Sequence, residues 1–276
     1  MSYGPVPWQQ TQWDWRAAGN FVCGGVGAGL VVFAALSADS AVSWTMLAGL
    51  ALIGLGLLCV WLEIGRPLRA LHVFFNPRRS WMTREAFAAA LLMPVGALAA
   101  FGVPGVAVPA GALALAFVYC QGRILNGAKG IPSWREPLIV PLIVLTALVE
   151  GGGAWLLMQP GLALARPGPL VVLALALLAR ALLWPVYRRR VRSAPRALAA
   201  LDAAGRWWLA GSYLPLAILL GVLTSPIDGA AAAALLAVAG ALAWLAGAWF
   251  KYVLITRAAF NQGFVLAHLP VRGVPR

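Results

Sequence analysis

Glu63 and Glu85 stand at the two ends of one loop, and each adjoins a long apolar run. A carboxylate at membrane depth is costly, and where one occurs it commonly marks a proton or substrate path. Two such acids at the same depth, joined by a single loop, can line one pocket and exchange protons with whatever binds there. Asn20, about one turn inside the first apolar run, can face the same region. Each residue also has a plainer account. Glu63 can pair with Arg66 at the membrane surface. Glu85 can occupy the first turn of its helix, where the dipole favours an acid, with Thr83 as the cap. Asn20 can hydrogen-bond a neighbouring helix. Glu150 lies deeper, followed by three glycines. It is either a proton-path carboxylate or a group paired with a basic side chain such as Arg180.

The metal-ligand inventory is short. The two histidines are His72, in a loop, and His268, in the tail. Haem held between membrane helices usually takes two axial ligands at matching depth, so no haem is expected. Cys23, Cys59 and Cys120 are far apart in apolar runs, without CxxC spacing. A structural zinc site or an iron–sulfur cluster takes about four ligands, so neither metal nor cluster is expected in this chain. The cysteines read as small buried hydrophobes.

The elements that must position these groups follow from composition. The chain has 276 residues, of which 62% are hydrophobic and 11% charged, with mean hydropathy +0.85. A soluble domain carries about 25% charged residues. The composition excludes a soluble enzyme, a disordered chain and a nucleic-acid-binding domain, and defines an all-α, polytopic membrane protein. The N-terminal Met1-Ser2-Tyr3-Gly4-Pro5 has no basic stretch followed by an apolar core, so the first run is expected to be a retained span, not a cleaved signal. With about 20 apolar residues per span, eight spans are expected in a single integral domain: 15–37, 43–64, 84–103, 107–127, 137–158, 168–188, 205–224 and 229–256. Pro104-Gly105 makes a tight hairpin between the third and fourth. The glycine-rich run from Gly24 to Gly29 offers a face for close helix packing.

Eight spans put both termini on one side. Of the 21 basic residues, all but Arg166 and Arg180 fall on that side, Lys251 and Arg206 counted among them. The positive-inside rule makes it cytoplasmic. The net charge of +13 is thereby a topology and lipid signal rather than a nucleic-acid one. Two loops on this side mix Arg with Phe, Trp and Leu: 65–83, and 121–136 with its Trp134-Arg135. Arg and aromatic residues are enriched at protein interfaces, and equally at the membrane surface. Arg69, Arg78, Arg79, Trp81, Trp134 and Arg135 are the candidate partner-docking residues.

The ordered set Leu62-Glu63-Ile64-Gly65-Arg66-Pro67-Leu68-Arg69-Ala70, Ser80-Trp81-Met82-Thr83-Arg84-Glu85 and Ile131-Pro132-Ser133-Trp134 resembles the signature of membrane anchor subunits of molybdopterin oxidoreductases, of the dimethyl sulfoxide reductase and polysulfide reductase type. Trp13-Asp14-Trp15 before the glycine-rich run is similar as well. The resemblance covers the first five spans in motif and the last three in layout. It implies a subunit that holds a four-cluster, ferredoxin-like iron–sulfur protein and, through it, a molybdopterin catalytic subunit. The anchor itself carries no redox metal and exchanges electrons and protons with quinone, ubiquinone or menaquinone. The setting implied is the cytoplasmic (inner) membrane of a prokaryote. The implied quinone site comprises Glu63, Glu85, Asn20, Arg66 and His72. Glu85 matches the family's Arg-Glu acid, whereas Glu63 stands where these anchors often have His, which changes how protons are handled. The tail from Phe260 to Gly273 is similar to the end of phenylacetyl-CoA:acceptor oxidoreductase anchors. A CoA thioester is cytoplasmic, which agrees with docking loops on the cytoplasmic side. The competing reading from another class is a secondary transporter or ion-translocating module acting without metal subunits. Against it, the sequence shows no convincing internal repeat and no paired broken helices.

Overall fold

The structure, a computed structural model, describes residues 6–37, 43–64 and 67–263. The described residues form helices and one isolated antiparallel bridge, between Gln9 and Phe260. Eight helices are long and apolar enough to cross a bilayer. They are α1 (Trp15–Leu36), α2 (Trp44–Glu63), α3 (Trp81–Ala100), α4 (Ala107–Gly127), α6 (Ile139–Met158), α8 (Pro167–Arg190), α9 (Pro195–Thr224) and α10 (Gly229–Thr256). Two short helices, α5 (Pro132–Arg135) and α7 (Pro160–Ala165), sit in connections, and a 3-10 segment runs over Pro67–Phe75 after α2.

The third span runs over 81–100 where 84–103 is expected and the seventh begins ten residues early, while the other bounds differ by at most two residues. Helix α3 begins at Trp81, three residues early, because Ser80 is its cap: the Ser80 Oγ accepts from the Thr83 N–H at 3.3 Å. Thr83 is therefore not the cap, and its hydroxyl donates instead to the Val73 carbonyl at 2.5 Å. Glu85 then lies beyond the first turn, where the dipole acts weakly. Helix α9 begins at Pro195 rather than near Gly205. Proline is well suited to the first helical position, and the alanine-rich stretch after it continues the helix. At 1.5 Å per residue its 30 residues reach about 45 Å, more than a hydrocarbon core of about 30 Å. The extra turns are tied to α8 by a bidentate pair, Arg188 to Asp202, at 2.7 Å for each bond.

Helix α1 is the hub. It packs on α2, α4, α6 and α10. Its glycines let these neighbours reach its backbone. A Cβ at Gly27 would lie 2.5 Å from the Gly49 carbonyl of α2, and one at Gly29 would overlap the Ala147 carbonyl of α6. Between α6 and α10 a Cβ at Gly153 would lie 2.5 Å from the Gly240 carbonyl. Lipid is as apolar as a leucine side chain, so close van der Waals contact, not water exclusion, is what holds such helices together.

The described ends of the chain meet at one end of the bundle. The Trp8 N–H donates to the Asn261 Oδ1 at 2.9 Å, and the Gln10 N–H to the Ala259 carbonyl at 2.9 Å. The α4–α6 connection is fastened to the same place: the Ser133 Oγ donates to the Ala258 carbonyl at 2.9 Å and the Tyr187 hydroxyl to the Ser133 carbonyl at 2.6 Å.

Gly29→Ala should cost about 1–3 kcal/mol or more, since the added methyl meets backbone that cannot yield. Gly54→Ala, with open space around it, should be neutral or slightly stabilising. Thermal unfolding of the two variants in one detergent checks this; equal melting temperatures would refute the close-contact account.

Candidate functional site

Glu85, on α3, is buried at 6% exposure and faces α1. The Asn20 Nδ2 of α1 donates to its Oε1 at 3.4 Å. Gln121, on α4, is wholly buried beside the same carboxyl. The Gln121 Nε2 also donates to the Asn20 main-chain carbonyl at 3.2 Å. Three helices therefore place a carboxyl and two amides together. Small residues allow it: a Cβ at Gly24 would press to 2.8 Å on the Gln121 Nε2.

The Glu85–Asn20 pair lies in the wall shared by two chambers. The first, about 310 Å³, is bounded by α2, α3 and the 3-10 segment. Among the described residues, Asn20, Glu85 and the Trp61 indole are the polar side chains lining it. Trp61, Leu71 and Met82 in its wall are also exposed on the outer surface. The chamber therefore opens at the surface beside these residues. The 3-10 segment is its cover, held by the Thr83–Val73 bond and by Phe74 packed edge-on to Phe87 at 5.2 Å. The second chamber, about 260 Å³, adds Trp13, Phe21, Glu63 and Ile124. Asn20, Val60, Ile64, Met82 and Glu85 line both.

Glu63, half-buried at the end of α2, thus shares a chamber with Glu85 and Asn20. Near it, Arg16 bridges two elements: it pairs with Asp14 at 2.9 Å, and its Nη1 donates to the Leu62 carbonyl at 3.1 Å. Arg16 holds the Asp14 carboxyl below its usual range through hydrogen bonds to that carboxylate. His72 is exposed, edge-on to Phe75 at 5.5 Å, and lines neither chamber. Arg66 and His268 lie outside the described residues, as does the tail from Phe264 onward.

The candidate docking residues divide. Arg69, Arg78, Arg79 and Arg135 are exposed. Trp81 is half-buried between two guanidinium groups, Arg84 at 4.1 Å and Arg123 at 4.3 Å from its ring centre. Trp134 cannot dock a partner. It is 2% exposed, its indole N–H donates to the Leu254 carbonyl at 3.0 Å, and Trp13 packs on it at 5.0 Å. The connection folds back so that Pro132–Arg135 forms a turn of helix whose tryptophan plugs the end of the bundle.

The deep acid Glu150 has a partner that the sequence reading placed elsewhere. Lys251, counted there with the loop cations, lies inside α10, and its Nζ meets the Glu150 Oε2 at 2.5 Å with both side chains fully buried. Arg180 is fully buried too, but it donates to the Ser212 Oγ at 2.9 Å and the Gly211 carbonyl at 2.5 Å and stacks on Trp208. Gly247, one turn before Lys251 on the same helix face, was the available signal: a Cβ there would press to 2.5 Å on the Glu150 Cγ. Gln121, read as the start of a loop, belongs to α4. The cysteines are free, with Cys120 buried and Cys23 and Cys59 half-buried.

The sequence matches no protein-family model and no curated protein.

Trp134→Ala should lower stability by about 3–5 kcal/mol, the usual cost of deleting a buried large aromatic side chain. Arg78→Ala and Arg79→Ala should stay within about 0.5 kcal/mol of wild type, as exposed substitutions do. Comparing midpoints of thermal unfolding tests both statements.

Proposed function

We propose that this multi-pass membrane protein is the quinone-reactive anchor of a molybdenum or tungsten oxidoreductase in a prokaryotic cytoplasmic membrane. The observation that carries the reading is the buried Glu85 carboxyl, hydrogen-bonded by Asn20, in the wall of an apolar chamber that opens at the surface. The ordered motif set and the eight-helix layout support it.

The residues present fit a quinone. Ligand sites are mostly apolar, of about 300–1,000 Å³, with a few convergent polar groups, and a quinone combines an apolar ring and tail with two carbonyl oxygens. When bound, quinone accepts or releases two electrons and two protons, the electrons passing to or from an iron–sulfur subunit outside this chain. The chain's own part is proton exchange and positioning. The Glu85 carboxyl holds the proton to be given or takes up the one released. The Asn20 amide fixes the Glu85 Oε1, and Gln121 anchors the same residue through its main-chain carbonyl. Glu63, in the adjoining chamber and half-exposed, returns protons between Glu85 and the aqueous surface. The exposed Arg69, Arg78, Arg79 and Arg135 present positive charge to an acidic face of the iron–sulfur subunit. With a CoA thioester as the catalytic subunit's substrate, oxidation of phenylacetyl-CoA type, the electrons run toward quinone and the docking face is cytoplasmic.

The second reading is an ion-translocating module that works without metal subunits. The buried Glu150–Lys251 pair favours it, because charge in the middle of a bundle commonly marks an ion path.

Gentle detergent extraction of the tagged chain, with metal and acid-labile sulfide analysis of what co-purifies, separates the two. An iron–sulfur protein with a molybdenum- or tungsten-bearing partner is expected. A monodisperse, metal-free chain with no partner would overturn the anchor reading. In the isolated complex, Glu85→Gln should lower quinone turnover by about 10²–10⁴-fold, the usual worth of a positioned acid–base group, while the subunits stay assembled. Glu63→Gln should lower it less, since water reaches that side chain. Loss of assembly in Glu85→Gln would make the acid structural.

A further inference from the structure

We infer that Glu150, Lys251 and Arg180 form a second proton-exchange site, distinct from the Glu85 chambers, which holds or gives up one proton through the Glu150–Lys251 hydrogen bond.

The geometry has four parts. The Lys251 Nζ and Glu150 Oε2 are 2.5 Å apart with neither side chain reaching the surface. The other oxygen, Glu150 Oε1, has no hydrogen-bond partner. Arg180 brings a second cation whose Nε and Nη1 are buried and unpartnered. Space for the pair is built in by two glycines: a Cβ at Gly25 would collide with the Lys251 Nζ, and one at Gly247 would lie 2.8 Å from the Glu150 Oε1.

Charge bookkeeping makes the proton mobile. Arg180 keeps its proton under all ordinary conditions. An ionised Glu150 and a protonated Lys251 then leave the cluster with one net positive charge in a dry interior, which is costly. Passing the proton along the hydrogen bond from Lys251 to Glu150 leaves that charge unchanged. Releasing it leaves carboxylate, amine and guanidinium, which together are neutral. One proton is lost and no electron moves. The groups facing the pair are Arg180 on α8 and Cys23 on α1, with Cys59 of α2 beside that thiol. Helix α9 contributes Ser212 and Trp208 to Arg180, both uncharged.

The pair lies beside the second chamber, into which the proton can be released. The Lys251 Nζ also donates to the Phe21 carbonyl at 3.0 Å, which holds the ammonium group against that wall. Phe21 lines the second chamber and follows Asn20, whose amide holds Glu85. Toward the other end of the bundle Leu30, Phe33, Trp155 and Leu156 are all buried and apolar. The cluster therefore exchanges toward the same end of the molecule as Glu63 and Glu85.

The test needs neither quinone nor a partner, so its failure is separate from failure of the anchor reading. Lys129 and Lys251 are the only lysines, so Lys129→Arg leaves one ε-amino signal in the full-length chain labelled with ¹⁵N-lysine. In detergent micelles, that signal is expected to make a full step from ammonium to amine within the pH range over which the protein stays folded. Arg180→Gln removes the repelling charge, so the step should move to higher pH. Glu150→Gln removes the acceptor, so the ammonium should be lost at lower pH. If either variant fails to fold, ¹³C-carboxyl signals of glutamate in the unsubstituted chain give the same answer, because the Glu150 signal must respond to the Lys251 step. A Lys251 signal that stays ammonium throughout, with a static Glu150 carboxyl, would overturn the proposal and leave a fixed structural ion pair.

Discussion

Helix α1 has to be thin. The other seven spans are drawn around it or around the helices it touches, and how near they approach is set by what stands on its surface. At Gly24, Gly25, Gly27 and Gly29 nothing stands there. Gly27 admits the α2 backbone, Gly29 the α6 backbone, Gly24 the Gln121 amide and Gly25 the Lys251 ammonium group. In a bilayer there is little hydrophobic gain in moving a side chain from lipid to protein, so dispersion contact and satisfied polar groups must supply the cohesion. A helix with side chains at these four positions would hold its neighbours too far away for either.

The same closeness sets the chemistry. Residues 20 and 21 are adjacent on one turn of α1, yet they serve two different clusters. The Asn20 amide reaches the Glu85 carboxyl on α3, and the Phe21 carbonyl receives the Lys251 ammonium group from α10. Two buried acids on different helices are thus joined through one peptide unit of the hub. Glu85 opens onto chambers on both sides, one lined by apolar side chains and open at the surface and one reaching Glu63. Glu150 lines neither of these chambers, and its side chain is wholly buried against its cation. An acid with space around it can meet a substrate, and an acid without space can only hold or pass a proton. The assignment of separate roles to the two rests on that difference.

The candidate site was partly legible. Glu63, Glu85 and Asn20 could be grouped because membrane topology alone places loop-flanking residues at one depth, and depth is the coordinate that a hydropathy pattern reports. His72 shared that depth but faces outward, since a 3-10 segment turns its side chains by a different angle from an α-helix and puts Val73 and Phe74 inward instead. Trp134 looked like interface chemistry because aromatic and basic residues mark protein and membrane surfaces alike. The backbone fold-back that buries it depends on Ala258 and Leu254, more than a hundred residues away. Gln121 and Lys251, near the ends of the fourth and eighth expected spans, were grouped with the loop and cytoplasmic-side residues because polar residues close to the end of an apolar run look like the end of the span. Each is instead buried one or two turns inside its helix, where a glycine of α1, Gly24 or Gly25, makes room.

The sequence by itself determined the class of the molecule: eight membrane-length helices, their order and most of their bounds. Those are consequences of a solvent that tolerates no unpaired backbone groups, so span length is written locally along the chain. Tertiary structure alone decided which acid meets which partner. Glu150 had two cations within the spans to choose from and pairs with Lys251, because Gly25 and Gly247 clear a path for one ammonium group while Arg180 is drawn to Ser212 and Trp208. Such choices depend on the rotation of each helix about its own axis, and that rotation is fixed by packing against neighbours distant in sequence.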